Sequence, residues 1–144
     1  MLSRLLIFSA IAIFLFISTS FAGMNVFVGD LVADIIPQPR LLEPCGETAD
    51  ISGKKELLFK WSPHEGDTTE RKYYDFRLYE GYQALGPYLI FKKEVSPNKH
   101  QIRVESSLFK VGAIYTWTLR QKYRSGKSRR SSNSFKIIKK KIFL

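Results

Sequence analysis

The sequence predicts an all-β domain, a seven-stranded antiparallel β-sandwich that follows a cleaved N-terminal segment. Three observations predict this fold class. Apolar and polar residues alternate through several short segments, as they do in strands with one buried face. Turn residues separate these segments at intervals of about 8–15 residues, which is typical of sandwiches and barrels. No window shows the i, i+3, i+4, i+7 spacing of an amphipathic helix.

The N-terminus has the three zones of a secretory signal peptide. Arg4 supplies a positive charge, the run 5–17 is almost entirely apolar, and Ser20 and Ala22 are small residues at the −3 and −1 positions of a cut before Gly23. The apolar run is shorter than the about 20 residues that a membrane-spanning helix needs. We therefore expect residues 1–22 to be a signal peptide and the protein to be exported to the periplasm or the extracellular space. An uncleaved N-terminal anchor is the alternative.

The mature chain is long enough for one domain with its own core. Residues 23–38 show no clean period and are predicted to be a linker or an extra edge strand, and the β domain is predicted over residues 39–141. Its seven predicted strands are centred on residues 41–42, 57–61, 73–79, 89–91, 101–105, 115–124 and 135–137.

Five aromatic residues are expected at the centre of the core, because each lies on the apolar face of its strand. Burial of one such large side chain contributes about 1.5–3 kcal/mol. The five residues are Phe59, Trp61, Phe76, Tyr115 and Trp117. Cys45 is the only cysteine, so no intramolecular disulfide can add to this core. Its thiol either joins two chains or is a buried, inert group, and burial is the commoner case.

Five segments carry a family resemblance, and their order along the chain is 39–46, 59–63, 74–79, 112–117 and 125–135. They resemble, in that order, the first strand, the second strand, the third strand, the approach to the sixth strand, and the last turn and strand of bacterial fibronectin type III modules. The resemblance extends over about residues 39–138 and implies a sandwich of that type, in which a tyrosine packs back at the corner before the sixth strand. Residues 129–132 depart from the pattern, because they lack the tryptophan that often lies there. The family has no single function, so the resemblance implies none here.

The sequence contains no combination of nucleophile, base and orienting group that would indicate catalysis, so we expect a protein that is not an enzyme and has no cofactor or metal. His64 and His100 are the only histidines, neither has a partner at metal-ligand spacing, and both are expected to be exposed in loops. The acidic cluster at 65–70 lacks the ligand spacing of a calcium loop. The Gly-Lys-Ser at 126–128 lacks the earlier glycine and the following helix of a phosphate-binding loop.

Positive charge is concentrated in the last third of the chain. Residues 1–98 hold 10 Lys and Arg against 12 Asp and Glu, a balance of −2, whereas residues 99–144 hold 13 against one, a balance of +12. If Trp117 and Leu119 face the core, the basic residues that alternate with them lie on one outer face. This face is the predicted anion-binding site, although it could equally be the solubilising face of the sheet. Its residues are Tyr73, Arg77, Tyr79, Arg120, Lys122, Arg124, Lys127, Arg129, Arg130 and Lys136.

Together these patterns predict an exported, non-catalytic interaction or structural module of the cell envelope or extracellular space. The alternative is a glycan- or polyanion-binding protein that uses the basic sheet face. The expected partner is another envelope or secreted protein or an anionic polymer. Nucleic acid is not expected, because export separates the chain from most of it. The segment 139–144 has two interpretations: it contacts an anionic membrane surface, or it is a frayed chain end. The ligand and the oligomeric state stay open.

Overall fold

The structure, a computed structural model, describes residues 38–63, 71–124 and 126–141. The predicted signal peptide, all but the last residue of the 23–38 segment, His64 and the acidic cluster at 65–70 lie outside the described residues. In the part of the chain that the structure describes, no helix has the length and apolar character needed to cross a membrane.

Within these described ranges, eight strands form two sheets, with the orders β1-β3-β6 and β2-β8-β7-β4-β5. Neighbouring strands are antiparallel except β2 and β8, which are parallel. Two single-turn 3-10 helices, Gly86–Tyr88 and Ser106–Leu108, lie in the connections before β5 and after β6. The strands are β1 (Arg40–Glu43), β2 (Thr48–Asp50), β3 (Glu56–Ser62), β4 (Arg71–Glu80), β5 (Leu89–Val95), β6 (Gln101–Glu105), β7 (Ile114–Tyr123) and β8 (Ser131–Ile138).

The all-β prediction is confirmed, and the two sheets are consistent with a β-sandwich. The described residues form eight strands rather than the seven predicted, because β2 was not predicted. At three residues β2 is too short for alternation to reveal it, and it exists through its parallel pairing with the end of β8. Between β1 and β2 the chain passes from the smaller sheet to the larger one. The Pro44 carbonyl in this crossing accepts hydrogen bonds from Trp117 Nε1 at 2.9 Å and from Asn133 Nδ2 at 3.0 Å.

Phe59 joins the two sheets at the centre of the core. It belongs to the smaller sheet, and its ring lies edge-on to the rings of Phe76 at 5.1 Å, Trp117 at 5.2 Å and Phe135 at 5.9 Å, all on the larger sheet. The five aromatic residues predicted for the core centre are all at most 1% exposed, so this prediction is confirmed. The strand periodicity therefore identified which faces the sheets bury against each other.

A tyrosine side chain stabilises the turn before β7 by a hydrogen bond to an earlier residue of the chain. The backbone N–H of Lys110 donates a 2.9 Å hydrogen bond to the Tyr115 hydroxyl, and the Phe109 ring packs edge-on against the Tyr115 ring at 5.1 Å. Gly112 lies between them with a φ of 85°, a conformation that other residues rarely adopt. The tyrosine packing expected at this corner from the sequence is present.

Candidate functional site

The strand register places most of the predicted anion-binding residues on the outer face of the larger sheet. Tyr73 lies opposite Lys122, and Arg77 lies opposite Thr118, on the neighbouring strands β4 and β7. Lys136 of β8 lies opposite Ile114 of β7, towards the other end of the same face. These side chains alternate with the buried ones on each strand, so the pleat itself directs them away from the core.

Asp75 is the centre of this face. Arg77, two residues away on β4, donates from Nε to Asp75 Oδ1 at 3.1 Å and forms a salt bridge with Oδ2 at 3.1 Å. Arg130, which directly precedes β8, forms a salt bridge with Asp75 Oδ2 and also donates to Thr118 Oγ1 at 3.3 Å. Burial alone would raise the pKa of Asp75, but the hydrogen bonds from Arg77 and Arg130 outweigh burial and hold that pKa below its usual range.

Arg120 lies directly opposite Asp75 in the β4–β7 register, yet among the described residues it forms no ion pair with that carboxylate. Its Nε is buried and has no hydrogen-bond partner among those residues. Burial, followed by the positive charge of Arg130, lowers the pKa of the Arg120 guanidinium. Two guanidinium groups therefore pair with the Asp75 carboxylate, and a third, that of Arg120, belongs to the residue opposite it and forms no ion pair with it in the described part of the chain.

The predicted residues of the β7–β8 turn form a basic arm at one end of the face. We define the basic arm as Lys122, Arg124, Lys127 and Arg129. It is shaped by backbone hydrogen bonds from Tyr123 N to the Gly126 carbonyl at 2.8 Å and from Ser128 N to the Gln121 carbonyl at 2.9 Å. Three of its four side chains, those of Arg124, Lys127 and Arg129, are exposed.

Two residues of the outer face are buried. Tyr79 is 3% exposed, so the prediction that it lies on an exposed face is wrong, and Asp75, which alternates with core residues on the same strand, is 8% exposed. Asp75 is covered because Arg77 and Arg130 fold over it. Tyr79 lies on β4 between Thr116 of β7 and Leu89 of β5, away from either sheet edge. Alternation indicates which face a residue occupies, but neighbouring side chains decide how much water reaches it.

Two further predictions differ from the structure. His100 is half-buried rather than exposed, and its ring lies edge-on to the Tyr74 ring at 6.1 Å. Cys45 is exposed rather than buried, because it lies in the crossing between the two sheets instead of in a strand. The exposure of neither residue follows from the local sequence. His100, for example, is covered by Tyr74 of β4, which is distant in the chain.

The outer face can bind anions by charge and by hydrogen bonding. Its strands and the residue before β8 present six basic side chains against three acidic ones, Asp50, Asp75 and Glu94. Guanidinium groups recognise carboxylates, sulfates and phosphates with paired hydrogen bonds. Among the described residues, no group of three or more His, Cys, Asp and Glu side chains could hold a metal ion. The six basic residues are Arg77, Lys92, Arg120, Lys122, Arg130 and Lys136.

Comparison with known proteins adds no family to this description. No protein-family model matches the sequence, and no curated protein matches it either.

Proposed function

We propose that this protein is an exported, non-catalytic binding module with a fibronectin type III-like sandwich, and that its larger sheet binds an anionic polymer or an acidic partner protein. The observation that carries the proposal is the imbalance around Asp75, whose carboxylate pairs with Arg77 and Arg130, while Arg120 opposite it forms no ion pair with it in the described part of the chain. A half-buried cation with an unpartnered donor lowers stability, and such a cost is common at binding sites.

Strand order supports the fibronectin type III-like part of the proposal. If β2 is taken as an addition, β4, β7 and β8 are the third, sixth and seventh strands, and they are neighbours in the larger sheet. This is the order that modules of that type have. The Tyr115 hydroxyl that accepts from the Lys110 backbone matches the tyrosine corner of immunoglobulin-like sandwiches.

The basic arm supplies the long-range attraction in this proposal. Arg124, Lys127 and Arg129 are exposed, and exposed cations accelerate encounter with polyanions in a salt-dependent way. Arg120 and Arg77 then offer shorter-range contacts to one anionic group. A purely structural module uses such cations only to keep the sheet soluble, and the test below separates the two functions.

Heparin serves as the test polyanion, with a neutral polysaccharide column beside it. We expect wild-type protein to stay on heparin until high salt and to pass through the neutral column. Arg124→Glu with Lys127→Glu should lower the salt concentration of elution markedly. Each contact with an anionic group releases about one counterion on binding, so the variant releases fewer counterions and binds more weakly. Lys60→Glu with Lys99→Glu makes the same charge change outside the outer face and should have a much smaller effect.

Elution of the wild type at low salt from both columns would overturn the binding proposal and leave a structural module. Equal effects of the two double variants would show that net charge alone, not this face, causes retention. Export is tested separately by N-terminal sequencing of the protein recovered outside the cytoplasm, where the first residue should be Gly23.

A further inference from the structure

Four chain segments meet at the end of the molecule opposite the basic arm. We define this loop end by residues 51–55, 81–88, 106–113 and 139–141. Backbone hydrogen bonds join its parts: Ser106 N donates to the Lys55 carbonyl at 2.8 Å, and Gly81 N donates to the Ile114 carbonyl at 2.7 Å. The tail is joined as well, because Lys140 N donates to Ser52 Oγ at 2.7 Å.

The loop end and its edge carry every large apolar side chain that the described residues expose. Tyr82 is 71% exposed, Val111 59% and Leu85 55%. The remaining three, Tyr88, Leu89 and Leu108, are between 36% and 47% exposed, with Leu89 the first residue of β5. Scattered single apolar residues on a surface need no explanation, but five on two loops at one end of the domain, with Leu89 beside them, are typical of an interaction surface.

The charge of the loop end is of one sign. Its four segments contain six lysines, no arginine and no acidic residue, and all six lysines are exposed. One of them, Lys110, lies 3.5 Å from the Glu80 carboxylate at the end of β4. The six are Lys54, Lys55, Lys110, Lys139, Lys140 and Lys141.

This combination fits an anionic lipid surface better than a protein. Lysine is depleted in protein interfaces, where arginine is the preferred cation, whereas lysines beside exposed apolar residues are typical of segments that lie on anionic bilayers. Tyrosine is enriched at the level of lipid headgroups because its ring is apolar and its hydroxyl is polar. Four acidic residues, Asp50, Glu56, Glu80 and Glu105, directly flank the segments, so the six lysines outnumber them. Two of the four are paired with cations, Glu56 with Arg103 and Glu80 with Lys110.

We propose that the loop end docks on an anionic bilayer surface. The Tyr82, Leu85 and Val111 side chains enter the headgroup region, and the lysines lie against the anionic headgroups. The contact is separate from the basic arm, because the loop end lies at the start of β7 and the basic arm at its end. A molecule docked in this way keeps the basic arm directed away from the bilayer.

Co-sedimentation with vesicles tests the proposal. The purified protein, with its N-terminal residue determined, is mixed with vesicles of phosphatidylglycerol and phosphatidylethanolamine or of phosphatidylcholine alone. We expect binding to the anionic vesicles and much weaker binding to the neutral ones. Tyr82→Ser with Val111→Ser, and Lys139→Glu with Lys140→Glu, should each lower the partition coefficient on anionic vesicles by about tenfold or more.

Two control variants are prepared with the same N-terminal residue as the variants above. Lys60→Glu with Lys99→Glu changes the charge equally but away from the loop end, and Arg124→Glu with Lys127→Glu changes the basic arm. Both should sediment almost as the wild type does. Because the second control should lose heparin retention and keep vesicle binding, failure of this proposal is distinguishable from failure of the proposed function.

Three results would overturn the proposal. The first is unchanged sedimentation of the serine variant while it keeps the wild-type melting temperature, since charge alone would then explain the binding. The second is an equal loss of vesicle binding in the Lys139→Glu with Lys140→Glu variant and in the Lys60→Glu with Lys99→Glu control. The third is no vesicle binding together with self-association that the serine variant abolishes, which would make the loop end a contact between two copies of this chain.

Discussion

The Tyr115 hydroxyl accepts a 2.9 Å hydrogen bond from the backbone N–H of Lys110, five residues earlier. The ring of Tyr115 is 1% exposed, so this hydroxyl replaces water as the partner of a backbone group at the edge of the core. A single side chain thereby sets the path of the turn and the entry of β7 into the larger sheet.

Removal of this hydroxyl should destabilise the domain. Tyr115→Phe keeps the ring and its packing but leaves the Lys110 N–H without its partner, and we expect a loss of about 1–2 kcal/mol in the free energy of unfolding. Urea denaturation measures it. Tyr82→Phe is the matched control, because Tyr82 is 71% exposed, and it should change stability by no more than about 0.5 kcal/mol. Equal stabilities for the two variants would contradict the role assigned to the hydrogen bond.

The two tryptophans should each carry a large share of the core. Trp61 and Trp117 are at most 1% exposed, and Trp117 also donates its indole N–H to the Pro44 carbonyl. Trp61→Ala or Trp117→Ala should each lower the free energy of unfolding by about 3–5 kcal/mol. Tyr88→Ala, at a 47% exposed position, should have a small effect. Near-wild-type melting of either tryptophan variant would be inconsistent with the packed core.

Asp75 should make stability depend on pH. Its pKa in the folded state lies below the about 3.9 of an unfolded aspartate, so its carboxylate stabilises the fold above that pH, and the contribution is lost as the pH falls through the folded pKa. Asp75→Asn should therefore cost about 1.5–3 kcal/mol at neutral pH and progressively less in acid. Glu94→Gln, which changes the exposed carboxylate opposite it on β5, should cost little at any pH. A penalty for Asp75→Asn that is constant with pH would refute the charged role.

Arg130 and Arg120 should respond in opposite ways to loss of charge. Arg130→Met removes a guanidinium that is bound to Asp75 and should cost about 1.5–3 kcal/mol. Arg120→Met removes one that forms no ion pair with Asp75 among the described residues and has a buried Nε without a partner there, and it keeps an apolar stem, so stability should be unchanged or higher. Thermal melting compares the two. The same Arg120→Met protein should elute from heparin at lower salt, which would show that the residue that lowers stability also contributes to binding. Similar losses of stability in both variants would show that Arg120 is an ordinary structural cation.

Alternation of apolar and polar residues was enough to predict seven strands and the central aromatic residues. This worked because the side-chain period of a strand is two whatever its partners are, and because one face of each strand must leave water. Charge counting likewise located the basic strands and turn without any structure. These properties are local, and a local pattern can be read along the chain.

The tertiary structure alone decided which distant residues meet. Strand β2 exists only through its parallel pairing with β8, and its three residues carry no period of their own. Asp75 is shielded from water because Arg130, 55 residues away, crosses over it, whereas alternation indicates only that it lies on the outer face. The loop end arises in the same way, since segments 51–55, 81–88, 106–113 and 139–141 become neighbours only through strand pairing. Burial and charge balance are properties of neighbourhoods, and the fold assembles these neighbourhoods from residues far apart in the sequence.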